Sequence, residues 1–311
     1  TQQVVESLHA KAHGLIPNKI IEVSSSLVES FLGRIYDPAT AQTSDEGLKV
    51  FHDPSFRIIL VTRTQDPVLL QHCMGREKAN ELLDKQNALV RKNVAEYGGR
   101  EVEHKGAGFI ISFASASKAL TCAMAIQKEL ETCDGNETCF RIGISSGEPV
   151  TSSDKLFGDA LQLAERLNMI AKDCQVAIAS SVKELAKNDQ LQSHKGKILS
   201  LSPQDEELLG LLLNKLDENW QNPDFSVEDY CRAMNMSKSQ LYRKTVELFG
   251  LSPNTLMKEY QLERAKDLMN KRRYTISQIT FDSGFTSPSY FTKCFKSKYG
   301  LLPMEYIDLL H

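Results

Sequence analysis

Long apolar runs are missing from this 311-residue chain. The longest, residues 208–213, is interrupted at Gly210, whereas about 18–20 apolar residues are needed to span a bilayer. That excludes a helical membrane span. Nothing near the start joins a basic stretch to an apolar core, so export is not expected and the cytoplasm is the predicted compartment. Paired cysteine spacing is missing too. The seven cysteines, Cys73, Cys122, Cys133, Cys139, Cys174, Cys231 and Cys294, include no C-x-x-C pair, which argues against a zinc module or a disulfide framework and for free thiols. No cofactor is called for. A dominant charge is absent as well: 37 basic against 40 acidic residues leave −3, with 41% hydrophobic and 25% charged residues, the composition of an ordinary folded chain. Length suggests roughly two domains.

Charge is nevertheless unevenly placed. Between Lys238 and Lys298 lie twelve cations and five acids, a local +7 in a chain of −3. Such a field suits a polyanion, and the pattern beneath it is helical. Apolar residues recur at helical spacing over 208–220 and stop near Asn222-Pro223. Ser226, with Asp229 three residues on, opens a short helix to about Met234. Asn235-Met236 makes a turn, Ser237 caps a second helix over 238–249, and Gly250 ends it. Two short helices across a tight turn read as a helix-turn-helix. A long helix follows over 253–270, and the unit then repeats. Thr275 caps 276–283, Gly284 turns the chain, and Ser287 opens 288–299, closed by Gly300. Two such units about 50 residues apart can reach successive major-groove faces about 34 Å apart.

These residues resemble the AraC/XylS transcriptional regulators over roughly 208–311. The resemblance rests on Ser237-x3-Leu241, Phe249-Gly250-Leu251-Ser252-Pro253, Leu262-Glu263-Arg264-Ala265-x2-Leu268, Ile279-x4-Ser283-Gly284-Phe285, Ser289-Tyr290-Phe291, Phe295-Lys296 and Tyr299-Gly300-x2-Pro303. The second unit matches more completely than the first. Helix geometry turns Leu241, Phe291 and Phe295 inward. Ser239, Tyr242 and Arg243 in the first recognition helix, and Ser289, Thr292, Lys293 and Lys296 in the second, look outward. Arg243 and Lys293 can reach guanine O6 and N7, while Lys238, Lys244 and Lys296 are placed for phosphates. Glu263 and Arg264 read as scaffold. The resemblance implies double-stranded DNA and RNA polymerase as partners.

The region before this reads as β-α-β-β-α-β: a strand over 56–62, a helix of about thirty residues to Tyr97, strands over 100–104 and 109–113, a helix over 115–130 and a strand over 140–146. A helix over 157–170, a strand over 175–179 and a helix over 180–186 complete it. The order predicts a ferredoxin-like α+β core, followed by the all-α domain with its two helix-turn-helix units. Residues 56–187 resemble class III adenylate/guanylate cyclase domains through Tyr97-Gly98-Gly99-Arg100, Gly106-Ala107-Gly108-Phe109, Arg141-Ile-Gly-Ile-Ser-Ser-Gly147-Glu148-Pro149, Phe157-Gly158-Asp159-Ala160 and Ala164-Glu165-Arg166-Leu167. The resemblance places the family's two metal aspartates at Thr62 and Ala107, neither a carboxylate. Its purine-selecting positions fall at Glu103 and Lys155, its transition-state Asn at Gln162 and its Arg at Arg166. Without metal carboxylates, two-metal phosphoryl chemistry is lost. What remains is a catalytically dead module for homodimerisation, for sensing a nucleotide-like effector, or for docking a partner protein. A functioning nucleotide cyclase fused to a DNA-binding tail is the competing reading.

Residues 1–50 resemble the tail of a small nickel-binding ferredoxin-like domain. His9 and His13, at i and i+4, are its only metal candidates, and no metal site is expected. The predicted organisation is 1–50, a cyclase-like domain over 51–187, a linker over 188–207, and the DNA-binding domain over 208–311.

Overall fold

Six strands form one sheet in the order β2-β3-β1-β4-β5-β6. The computed structural model describes residues 56–105, 108–133, 140–147, 158–172, 174–194 and 196–310. His9 and His13, with the whole of the expected N-terminal piece, lie outside them. Strand β1 (Arg57–Arg63) is central and buried through its first six residues, as a strand covered on both faces must be. It pairs antiparallel with β3 (Gly108–Phe113) and β4 (Arg141–Gly147), Leu60 lying opposite Ile111 on one side and Ile144 on the other. Strand β2 (Arg100–Lys105) makes a hairpin with β3, bulged between Glu101 and Glu103. These four strands, with helices between β1 and β2 and between β3 and β4, realise the expected βαββαβ core. Strands β5 (Val176–Ile178) and β6 (Ile198–Ser200) extend it in parallel.

The thirty-residue helix expected after β1 is two helices, α1 (Pro67–Met74) and α2 (Arg76–Glu96). Gly75 between them sits at φ +86°, a conformation that ends a helix and that glycine adopts without steric cost. Helix α3 (Ala116–Cys133) packs on α2 and on β1, β3 and β4. Helix α4 (Gly158–Ile170) lies against β4, β1 and β5. It comes so near that a Cβ on Gly143 would stand 2.1 Å from the Ala164 carbonyl oxygen, so only glycine fits there. Buried Asn168 donates to the Val61 and Arg141 carbonyls, tying α4 to β1 and β4.

The stretch expected as a linker carries structure of its own. After α5 (Ser180–Leu185) come α6 (Asn188–Ser193), β6 and the start of α7 (Pro203–Asn219). Its apolar residues are too few to signal a strand, and pairing with β5 makes one. The helical region continues with α8 (Val227–Ala233), α9 (Lys238–Phe249), α10 (Pro253–Asn270), α11 (Ile276–Asp282), α12 (Pro288–Tyr299) and α13 (Pro303–Leu309). Residues Arg57–His311 cluster as one unit. Cysteines 73, 122, 231 and 294 are free, and burial pushes the Cys122 thiol up to about 12, which leaves it inert. Cys174 is in a disulfide, correcting the expectation of free thiols. Among the described residues no helix is long and apolar enough to cross a membrane.

Candidate nucleic-acid interface

Both helix-turn-helix units are built from the same local devices. In the first, the Ser226 hydroxyl accepts from the Asp229 amide while the Asp229 carboxylate accepts from the Ser226 amide, a reciprocal cap on α8. Asn235 turns the chain at φ +51°. Ser237 and Gln240 repeat the cap on α9, and Gly250 ends that helix in the left-handed region. In the second, Thr275 and Gln278 cap α11, Ser287 caps α12, and Gly300 is the left-handed stop. Such caps contribute about 1 kcal/mol each. They also set the angle at which each recognition helix leaves its turn.

The inward and outward faces fall where helical spacing put them. Leu241 of α9 and Phe291 and Phe295 of α12 are buried, while Ser239, Arg243, Ser289, Lys293 and Lys296 are exposed and Thr292 is half-buried. Tyr242 is 56% exposed, unusual for an aromatic residue with no partner to cover it. Glu263 and Arg264 are scaffold, as expected. Arg264 bonds Asp217 of α7 and the Tyr260 hydroxyl. Glu263 accepts from the Tyr299 hydroxyl at 2.8 Å and pairs with Lys298 and Lys266. Burial works to raise its carboxyl, but the two lysines and that hydroxyl outweigh it and hold the group down to about 2.

Charge pairing separates the expected contact residues. Lys238 is held by Glu228 of α8, and Lys244 by Glu247 at 3.1 Å. Arg243, Lys293 and Lys296 have no acid at ion-pair distance among the described residues.

Among the described residues, the positions the sequence grouped as a possible ligand pocket fall on β1, β2 and α4. Ala107 and Lys155 lie outside the described residues. Thr62 is buried, its hydroxyl accepting from the Phe109 amide at 3.0 Å. Glu103 is half-buried on β2 and Gln162 exposed on α4. Arg166 donates to the Asn214 side chain on α7. Its desolvated guanidinium has Asp217, Tyr260, Asp159 and Glu165 as electrostatic neighbours, surroundings that favour a cation over a bound phosphate.

One residue that holds the sheet region to the helical region was not singled out from sequence. Asp66 caps α1 through the Val68 amide and also accepts from Lys266 of α10 at 2.8 Å and from the Tyr306 hydroxyl of α13 at 3.0 Å. The Lys266 and Asp66 side chains are 13% and 15% exposed, so the pair is largely out of water. Val68, just after it, packs into the apolar core of the second unit with Phe291, Phe295 and Tyr306. Asp66-Pro67 is a legible helix start; its partners some 200 residues away are not.

A helix-turn-helix domain model matches residues 230–308. The carboxy-terminal region carries a helix-turn-helix domain of the AraC type. Histidine kinase P4 of Formosa agariphila is 32% identical over 108 residues, 35% of this chain and 8% of that protein. The transcriptional regulator MtrA of Neisseria gonorrhoeae is 29% identical over 98 residues, 32% of each chain. The putative adenylate cyclase 3 of Rhizobium meliloti is 26% identical over 108 residues, 33% of this chain and 18% of that protein. The chain thus spans at most about a third of these relatives' lengths. In that domain α8 with α9 and α11 with α12 form the two helix-turn-helix units, and α10 lies between them in the chain.

Proposed function

We propose that this chain is a sequence-specific, double-stranded-DNA-binding transcriptional regulator, acting in the cytoplasm as a homodimer with RNA polymerase as its downstream partner. The observation that carries this reading is the pair of capped recognition helices, each exposing a long cation with no ion pair among the described residues, Arg243 on α9 and Lys293 on α12. An exposed Arg or Lys on a recognition helix can bond guanine O6 and N7, worth about 1–3 kcal/mol of discrimination. The cyclase-like region over 51–187 serves as a non-catalytic regulatory and dimerising module. Thr62 supports the loss of catalysis, since its hydroxyl is committed to the Phe109 amide and cannot replace a metal-binding carboxylate.

Selection of duplexes from a random pool, followed by mobility shift, tests the DNA reading. Arg243→Ala with Lys293→Ala should erase preference for the selected sequence, and a double variant of undiminished preference would overturn the residue assignment. The cyclase reading is favoured by the Rhizobium relative's name alone. It predicts cyclic nucleotide from ATP or GTP with Mg²⁺ or Mn²⁺, and we expect none.

A further inference from the structure

The two helix-turn-helix units share a backbone plan and carry opposite electrostatics. Matching caps align Ser226 with Thr275, Ser237 with Ser287 and Gly250 with Gly300. Ahead of α8 the chain reads Asn222-Pro223-Asp224; ahead of α11 it reads Lys271-Arg272-Arg273. The first turn of α8 holds Glu228 and Asp229, where that of α11 holds Ser277 and Gln278. From Asn222 to Gly250 four cations face four acids, a net of zero. From Lys271 to Gly300 six cations face one acid, a net of +5.

Pairing widens the difference. In the first unit Arg232 is held by Asp229, Lys238 by Glu228 and Lys244 by Glu247, leaving Arg243. In the second unit Lys298 is drawn inward to Glu259 and Glu263, and Arg272 bonds the Leu310 carbonyl. Lys271, Arg273, Lys293 and Lys296 are exposed, and no acid lies at ion-pair distance from any of them among the described residues. A cation already matched by its own acid releases fewer counterions from DNA than one that meets phosphate unpaired. In a helix-turn-helix the first helix crosses the phosphate backbone while the second enters the groove. The approach to that crossing is therefore cationic ahead of α11, at Lys271-Arg272-Arg273, where the first turn of α8 is acidic.

We propose that the second unit supplies the phosphate grip on DNA, through Lys271 and Arg273 before α11 and Lys296 on α12. The first unit reads bases through Arg243 with little electrostatic hold of its own. This rests on the DNA-binding reading above. It assigns Lys271 and Arg273 to DNA and removes Lys238 and Lys244 as phosphate contacts.

The test needs no operator, because phosphate contacts are sequence-independent. The full chain is titrated against an arbitrary duplex of about 30 base pairs, three helical turns, by fluorescence anisotropy at several salt concentrations. Each lost phosphate contact should flatten the slope of log K against log salt by about 0.9, or about 3.5-fold in affinity over a fourfold salt change. Lys271→Ala, Arg273→Ala and Lys296→Ala should each flatten it, while Lys238→Ala and Lys244→Ala leave it unchanged. Glu228→Gln, which frees Lys238, should steepen the slope, a gain that no folding defect produces. Equal flattening from both units, or no response to Glu228→Gln, overturns the proposal while leaving DNA binding intact. Failure of the unaltered chain to bind the duplex even at low salt overturns the DNA-binding reading itself.

Discussion

The first helix-turn-helix unit ties Tyr230 to a helix of its own region, whereas the second takes a residue of the sheet region into its core. Tyr230 of α8 is fully buried and donates its hydroxyl to the Leu212 carbonyl of α7. Burial is also what drives that phenol far above its ordinary pKa. The second unit packs Phe291, Phe295 and Tyr306 around Val68, which α1 of the sheet region brings to it, with Asp66 clamping Lys266 and Tyr306 alongside. Two copies of one motif thus differ in what completes their cores. A change of state in the sheet region has a direct mechanical path into the second unit through α1. To the first it has α4, which packs on α7 and α9 and bonds Asn214 through Arg166.

That contrast can be broken most forcefully at Asp66. Asp66→Ala removes the α1 cap and leaves the largely buried Lys266 with Glu263 as its remaining acid, costing about 3 kcal/mol. Hydrogen exchange should show α12 and α13 losing protection while α8 and α9 keep theirs, whereas equal loss in both units would mean the sheet supports them alike. Capping substitutions sharpen the contrast at a smaller scale. Ser226→Ala and Thr275→Ala should each cost about 1 kcal/mol. The first should cost more, because Asp229 adds a charge-assisted bond where Gln278 gives a neutral one. Thermal melts of the two variants compare them directly.

Acid gives the smallest effect. Glu263 has a folded pKa of about 2, below the ordinary carboxylate value of about 4.3. Its contribution is therefore complete above that ordinary value and is lost as pH falls towards 2. Because the side chain is 43% exposed, the contribution is discounted for solvent screening to about 0.5 kcal/mol. Denaturant unfolding at descending pH should show the decline, and Glu263→Gln should flatten it.

Much of this molecule was legible because its signals are local. The caps at Ser226, Ser237, Thr275 and Ser287, the glycine stops and the inward faces of α9 and α12 each depend on residues within about one or two turns. The βαββαβ order followed in the same way from apolar runs and breakers. Gly75 was misread because an isolated glycine inside a helical pattern is compatible with continuation, and only its positive φ makes it a break. Strand β6 was missed because its half-buried residues carry little pattern and its existence depends on β5. Of the candidate ligand group, Thr62 and Arg166 were identified as positions, but neither partner, the Phe109 amide nor Asn214, is close in the chain.

Sequence by itself determined the α+β class of the sheet region, the two helix-turn-helix units and the residues on the outer faces of α9 and α12, since hydrophobic period and capping chemistry act over a few residues. Tertiary structure alone decided that Lys238 of α9 meets Glu228 of α8, where Arg166 and Asp66 make their bonds, and that the second unit's core includes a residue of the sheet region. Those outcomes depend on groups up to about 240 positions apart meeting at hydrogen-bond distance. Spacing along the chain does not encode such a meeting.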